Sequence, residues 1–125
     1  MAQYMLLIYD EPGTWASLPE EEQSRMMDEY FSYTEELRES GAYVAGDALQ
    51  PTDTARSVRV RDGERSVTDG PFAETKEVLG GYYLVDVESE QEALDWAAKI
   101  PSARLGTIEV RPVVVFPAQT EAAAS

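Results

Sequence analysis

Cysteine and histidine are both absent from this 125-residue chain. Without thiols there is no disulfide framework and no thiolate nucleophile. Without imidazole there is no Ser-His or Cys-His nucleophile pair, no histidine general base and no His-bearing metal site. Basic residues are scarce too, 10 against 24 acidic, for a net charge of −14. Phosphate contacts need Lys and Arg, so this balance opposes binding to nucleic acid and to anionic membranes, and neither is expected as a partner. No apolar run approaches membrane-spanning length. The start, Met1-Ala2-Gln3-Tyr4, lacks the basic and apolar regions of a signal peptide, and a cytoplasmic location is the expectation. No carboxylate cluster has the spacing of a calcium loop, and no glycine-rich strand-to-helix loop is present to cradle phosphates. The chain is read as having no metal and no cofactor.

What is present is ordinary for a globular domain, with 43% apolar and 27% charged residues. The length suits one core, read as a single domain over residues 1–116 with a flexible, alanine-rich tail over 117–125. Tyr4 to Tyr9 is an uninterrupted apolar run stopped by Asp10-Glu11-Pro12-Gly13, which predicts a strand buried on both faces. Ser17-Leu18-Pro19-Glu20 has the form of a capping box with Ser17 as N-cap. Behind it, Met26, Tyr30, Tyr33 and Leu37 recur at helical spacing up to a stop at Gly41. Ala42 to Leu49 reads as a second strand. Ser57 to Arg61 and Arg65 to Thr68 form a hairpin through Asp62-Gly63, and Val78 to Val87 is a further strand. Ser89 caps a helix whose stripe is Ala93, Leu94, Ala97 and Ile100, and Pro101 ends it. The last strand, Thr107 to Phe116, carries Pro112, which lacks a ladder donor and so belongs at a sheet edge.

This order is two βαβ units separated by a hairpin. Interleaved, they give an α+β, ferredoxin-like fold: a four-stranded antiparallel sheet with both helices on one face. Two helices cover only that face, yet Leu6, Ile8, Tyr82, Leu84 and the residues beside them are all apolar. A second copy packed sheet to sheet would shield the other face, so a homodimeric α+β barrel is expected.

Chemistry-bearing residues concentrate in Asp69-Gly70-Pro71-Phe72-Ala73-Glu74-Thr75-Lys76-Glu77. Asp69-Gly70 suits a tight turn, and Phe72 can plug the core. Glu74 and Lys76 point the same way in an extended backbone, and a carboxylate roofed by aromatics can be raised toward neutrality to act as acid or base. Asp69 and Glu74 are therefore the candidate catalytic carboxylates. Trp15, Phe72, Lys76, Tyr82 and Arg111 are the candidate ligand-binding residues, for a small molecule. The plainer reading, which is favoured, makes Asp69 a turn cap and Glu74 with Lys76 a solvated pair. Arg56, Arg59, Arg61 and Arg65 put four of the ten basic residues into the hairpin. They suit an anion or, more simply, cross-strand pairing with Asp62 or Glu64. Glu109 and Arg111 share one face of the last strand, opposite Ile108 and Val110.

The Asp69–Glu77 string, followed by Gly80-Gly81-Tyr82-Tyr83 and by Gly106-Thr107-Ile108-Glu109-Val110-Arg111-Pro112, resembles the YCII-related family, and within it the branch named for its Asp-Gly-Pro-Phe motif. Tyr4 to Tyr9 and Val44-Ala45-Gly46 fit the same pattern, so the resemblance runs from residue 1 to 116. It implies a ferredoxin-like, dimeric α+β barrel. Members of this branch are often encoded beside sigma factors of the extracytoplasmic-function class, which implies a regulatory or small-ligand-binding homodimer. In the wider family a histidine–aspartate pair has been suggested as an active site, and some members are dehydrochlorinases. Asp69 matches the motif aspartate, and this chain has no histidine to pair with it. The alternative function is a lyase or isomerase working by carboxylate acid–base chemistry on a small polar or aromatic substrate. Asp69 or Glu74 would be its base, and Arg111 or Lys76 its anion stabiliser.

Overall fold

A computed structural model describes residues 1–116, so the expected tail over 117–125 lies outside the described residues. In chain order the elements are β1 (Ala2–Asp10), α1 (Thr14–Ser17), α2 (Glu20–Glu39), β2 (Tyr43–Ala48), β3 (Arg56–Arg61), β4 (Glu64–Asp69), β5 (Val78–Val87), α3 (Glu90–Ala98) and β6 (Thr107–Pro112). Short 3₁₀ turns cover Thr52–Thr54 and Pro101–Arg104. β1, β2, β5 and β6 form an antiparallel sheet in the order β2-β5-β1-β6, and β3 and β4 form a separate two-stranded ribbon. This is the mixed α+β arrangement that the interleaved βαβ order predicts.

Strand alternation builds the core. Leu6 and Ile8 of β1 and Tyr83, Val85 and Val87 of β5 point to one side of the sheet. There they meet Tyr33 and Leu37 of α2 and Ala93, Ala97 and Ile100 of α3 and its end. Both helices therefore cover the same face. Leu6, Leu37 and Val85 have no exposed surface, and each such side chain contributes about 1.5–3 kcal/mol of burial. Tyr33 sits edge-on to Tyr83 and Trp96, with ring centres 5.2 and 5.9 Å away. Its hydroxyl donates to the Trp96 carbonyl at 2.9 Å, so the buried phenol is satisfied. Burial pushes the Tyr33 phenol well above its ordinary range.

Four local expectations need correction. Ser17 does not cap α2: residues 14–17 close a turn of their own, with Ser17 Oγ donating to the Thr14 carbonyl at 2.9 Å. The long helix starts behind Pro19, whose carbonyl accepts the Glu22 and Gln23 amides, while Gln23 Nε2 folds back onto the Trp15 and Leu18 carbonyls. Ser89, in contrast, does cap α3 by accepting from the Glu92 amide, a contact worth about 1 kcal/mol. Leu94 is exposed, because the sheet-facing stripe of α3 uses Trp96 instead. The last strand ends at Pro112 rather than Phe116, although the Val113 amide still donates to the Gln3 carbonyl. β6 lies at the sheet edge, where the missing donor of Pro112 costs nothing. Finally, β1 is not buried on both faces: Met5 and Leu7 are only half-buried, because no element among the described residues lies over them.

Candidate functional site

The Asp69–Glu77 segment runs from the end of the ribbon to the start of β5, and its ionisable groups are dispersed. The Asp69 carboxylate is 87% exposed and pairs with Arg56, its cross-strand neighbour in the ribbon. That pairing, not a side-chain turn cap and not Asp62 or Glu64 with a neighbouring arginine, is the ribbon's ion pair. Gly70 makes the turn with φ near 90° and donates its amide to the Ala55 carbonyl at 2.7 Å. Phe72 is 80% exposed, so it does not plug the core of this chain. Residues 71–77 adopt no strand, which removes the alternation that would aim Glu74 and Lys76 together. Lys76 Nζ lies instead 3.6 Å from Glu11 Oε1, across the loop after β1. Glu74 is exposed and makes no salt bridge among the described residues. Exposed pairs of this kind contribute about 0–1 kcal/mol. Trp15, in α1, is 38% exposed and stands outside the main core cluster.

Tyr82 and Arg111 belong to a different surface, the helix-free face of the sheet. In the β1–β5 register Met5 lies beside Leu84 and Leu7 beside Tyr82. On the other side of β1, Arg111 and Glu109 flank the same two residues. On the β2 side the neighbours are Ala45 and Asp47. The centre of this face is thus apolar, and its margins are ionisable. Tyr82 donates its hydroxyl to Asp47 Oδ2 at 2.9 Å. That hydrogen bond, together with the carboxylate's charge, raises the Tyr82 phenol above its ordinary value.

The structure also assembles a group that pattern reasoning passed over. Asp10 ends the central strand β1, where the sequence shows only a stop signal before Pro12-Gly13. The backbone on either side of it is bare. A Cβ on Gly80 would stand 3.8 Å from Asp10 Oδ1, and one on Gly106 would fall 2.1 Å from the Tyr9 carbonyl oxygen and 3.1 Å from Asp10 Cβ. Desolvation, then the nearby charge of Glu77, raises the Asp10 carboxyl above its ordinary value. Tyr30 of α2, close enough to feel Asp10's charge, shares a 2.5 Å hydrogen bond with Ser102. Burial is the main cause that raises the Tyr30 phenol. The two residues between them bring hydroxyls from α2 and from the turn after α3 to the same end of the sheet. No sequence period could reveal this, because Asp10, Tyr30, Glu77 and Ser102 come from four separate segments.

A stability signature follows for Asp10. Its folded carboxyl holds its proton to higher pH than the unfolded one, so folding is favoured below the ordinary aspartate value of 3.8 and loses that advantage as pH rises through the folded value. Asp10→Asn removes the ionisation. Its thermal midpoint is expected to exceed that of the parent at neutral pH, and the difference is expected to close in acid. Thermal melts across this range check it, and a variant uniformly less stable at every pH would contradict it.

Elsewhere, shallow grooves lie on the outside of α2. One, of about 390 Å³, lies between α2 and the end of α3 and is spanned by the Lys99–Glu36 pair and by Arg104 Nη2 at 2.6 Å from Glu29 Oε2. It touches none of the seven residues singled out from sequence. Among the described residues no three metal-ligating side chains converge, and no helix is long and apolar enough to cross a membrane.

Comparison with known proteins places this architecture. The family model described as the YCII-related domain matches residues 2–117. A protein of Rhizobium meliloti (strain 1021), named uncharacterized protein R00369, is 37% identical over 115 residues, which cover 90% of this chain and 93% of the relative. A match over nearly the whole chain is decisive: the chain belongs to the YCII-related family.

Proposed function

We propose that the protein is a small-ligand-binding, regulatory homodimer of the Asp-Gly-Pro-Phe branch, closed into an α+β barrel through its helix-free sheet face. One observation carries this reading. Met5, Leu7, Tyr82 and Leu84 form a half-buried apolar patch that no element among the described residues covers. Asp47, Glu109 and Arg111 stand at its margins. A second copy laid on this face buries the apolar centre and leaves the ionisable margins lining the space between the sheets, the arrangement of an apolar pocket with a few orienting polar groups. Arg111 supplies the cation for an anionic or polar group, and Tyr82 an aromatic surface fixed by Asp47. Trp15, in the short α1, and Phe72 and Lys76, on the loop before β5, would contribute only as a lid. The Asp69–Glu77 string, as the motif of that branch, supports the regulatory half of the reading, a link to an extracytoplasmic-function sigma factor.

A thermal-shift screen with small polar and aromatic metabolites tests it. At least one compound is expected to raise the midpoint by several degrees, and Arg111→Ala is expected to abolish that shift while leaving the unliganded midpoint within about 1 °C of the parent, as befits an exposed edge-strand position. A screen in which no compound shifts the midpoint, or a shift that survives Arg111→Ala, would count against the cleft.

The second reading, a carboxylate-dependent lyase or isomerase, draws its support from Asp10. This carboxyl is partly desolvated, stands near Glu77 and within the influence of Tyr30, and meets the requirement for an acid or base better than Asp69, which is committed to Arg56 in solvent. If turnover of any such substrate is found, its pH–rate profile is expected to lose an ionisation in Asp10→Asn and to keep it in Asp69→Asn.

A further inference from the structure

We propose that the β3–β4 ribbon is a docking arm that seats on the outer face of α2 in a second copy of this chain. The ribbon needs a partner. It is a two-stranded sheet hydrogen-bonded to no other strand among the described residues, and of its twelve residues all but Ser57 are exposed. Such a ribbon is marginal in water unless one face is packed. Its register sorts the side chains by face: Val58 opposes Val67 and Val60 opposes Arg65, with the Arg56–Asp69 pair closing one end. Val58, Val60 and Val67 are 58%, 58% and 54% exposed, three β-branched side chains in one continuous stripe.

Charge argues that the partner is this chain itself. Between residues 56 and 69 there are four arginines and three carboxylates, so the ribbon stands at +1 while the remainder of the chain carries −15. The arm is thus a weakly basic ribbon on a strongly acidic chain. On that body, α2 presents a complementary stripe. Met27, Phe31, Glu35 and Glu39 recur every fourth residue and lie along one line of the helix. Phe31 is 67% exposed and Met27 44%, and the groove beside Phe31 is lined by Glu35, Glu36 and Glu39. The lengths also agree. Six strand residues span about 20 Å, and the helix from Met27 to Glu39 spans about 18 Å. The valine stripe seats on Met27 and Phe31, and Arg65, towards the ribbon tip, meets Glu35 and Glu39. In a two-fold assembly the contact occurs twice, once for each arm. It uses neither the helix-free sheet face nor the ligand cleft, so it stands or falls apart from the function proposed above.

The lack of cysteine makes a clean test available. Val58→Cys and Phe31→Cys chains are prepared separately, mixed, and treated with a short bismaleimide. Both positions are exposed, and circular dichroism confirms that each variant folds. The mixture is expected to give a covalent product at twice the 13.9 kDa chain mass that neither variant gives by itself. Adding Arg65→Glu to the Val58→Cys chain is expected to lower the yield about fivefold at low salt, the loss of about 1 kcal/mol from an ion pair. A mixture that stays monomeric on denaturing gels overturns the proposal. So does a product formed equally by Val58→Cys without its partner, which would set ribbon against ribbon. Should either variant fail to fold, Val67→Cys with Met27→Cys probes the same contact.

Discussion

Leu84→Asp is expected to leave the protein folded but to convert a dimer at micromolar concentration into a monomer. Leu84 lies on the helix-free face of a central strand, opposite in direction from the fully buried Val85, so its substitution leaves the core cluster untouched. In an isologous interface each substitution counts twice. Burying one leucine contributes about 1.5–3 kcal/mol, so two lost leucines amount to about 3–6 kcal/mol before any cost of burying the aspartates. That corresponds to a dissociation constant weakened by about 10² to 10⁴. Light scattering reads the mass, and circular dichroism reports that the sheet and helices persist. The sheet-face dimer fails if the parent chain itself is a well-behaved monomer at micromolar concentration, or if Leu84→Asp remains a dimer even when Arg65→Glu is added to weaken the ribbon contact.

A second large effect is expected at Gly106, for a reason that no turn or cap would suggest. A Cβ there would approach the Tyr9 carbonyl oxygen to 2.1 Å, and the obstacle is backbone, which no side-chain rotation can relieve. Gly106→Ala must push the start of β6 away from the end of β1, and about 3 kcal/mol or more of stability should be lost, at the upper end of overpacking costs. Gly80, on the other flank of Asp10, is the control. Its Cβ would meet Asp10 Oδ1 at 3.8 Å and the Ile8 carbonyl at 3.9 Å, ordinary contacts. Gly80→Ala is expected to stay within about 1 kcal/mol of the parent, since the lost backbone freedom of the unfolded chain offsets any small crowding. Urea titrations of the two variants compare them directly, and equal effects would refute the steric account.

The two glycines also illustrate where sequence reading stops. Gly80 follows an apolar residue inside an evident strand, and Gly106 follows a 3₁₀ turn, so by pattern both are breaks of the same kind. What separates them is the approach of another segment, roughly a hundred residues away along the chain for Gly106. The same limit governed the site. Asp69, Glu74, Phe72 and Lys76 stand out in sequence because they are adjacent, yet adjacency in a loop without strand geometry gives no common direction, and the chain spreads them over solvent. Asp10 is inconspicuous in sequence, and its carboxyl is raised by burial and by the charge of Glu77, a residue remote along the chain.

Local physics reached furthest where one segment could satisfy itself. The apolar run of β1, the Asp62-Gly63 turn with both residues at positive φ, the Ser89 cap and the edge position of the Pro112 strand follow from periodicity and backbone chemistry alone. So does the helix-side core, because a period of two in β1 and β5 and a period near four in α2 leave one way to bring leucine against leucine. Composition settled as much by omission, since a chain without imidazole or thiol has only carboxylates, phenols and the amines of its two lysines as side chains for acid–base work. Where Ser17 points, which carboxylate loses its water and which valines are left uncovered were settled by folding. Each of those outcomes depends on a distance between segments remote along the chain, and no local preference encodes such a distance.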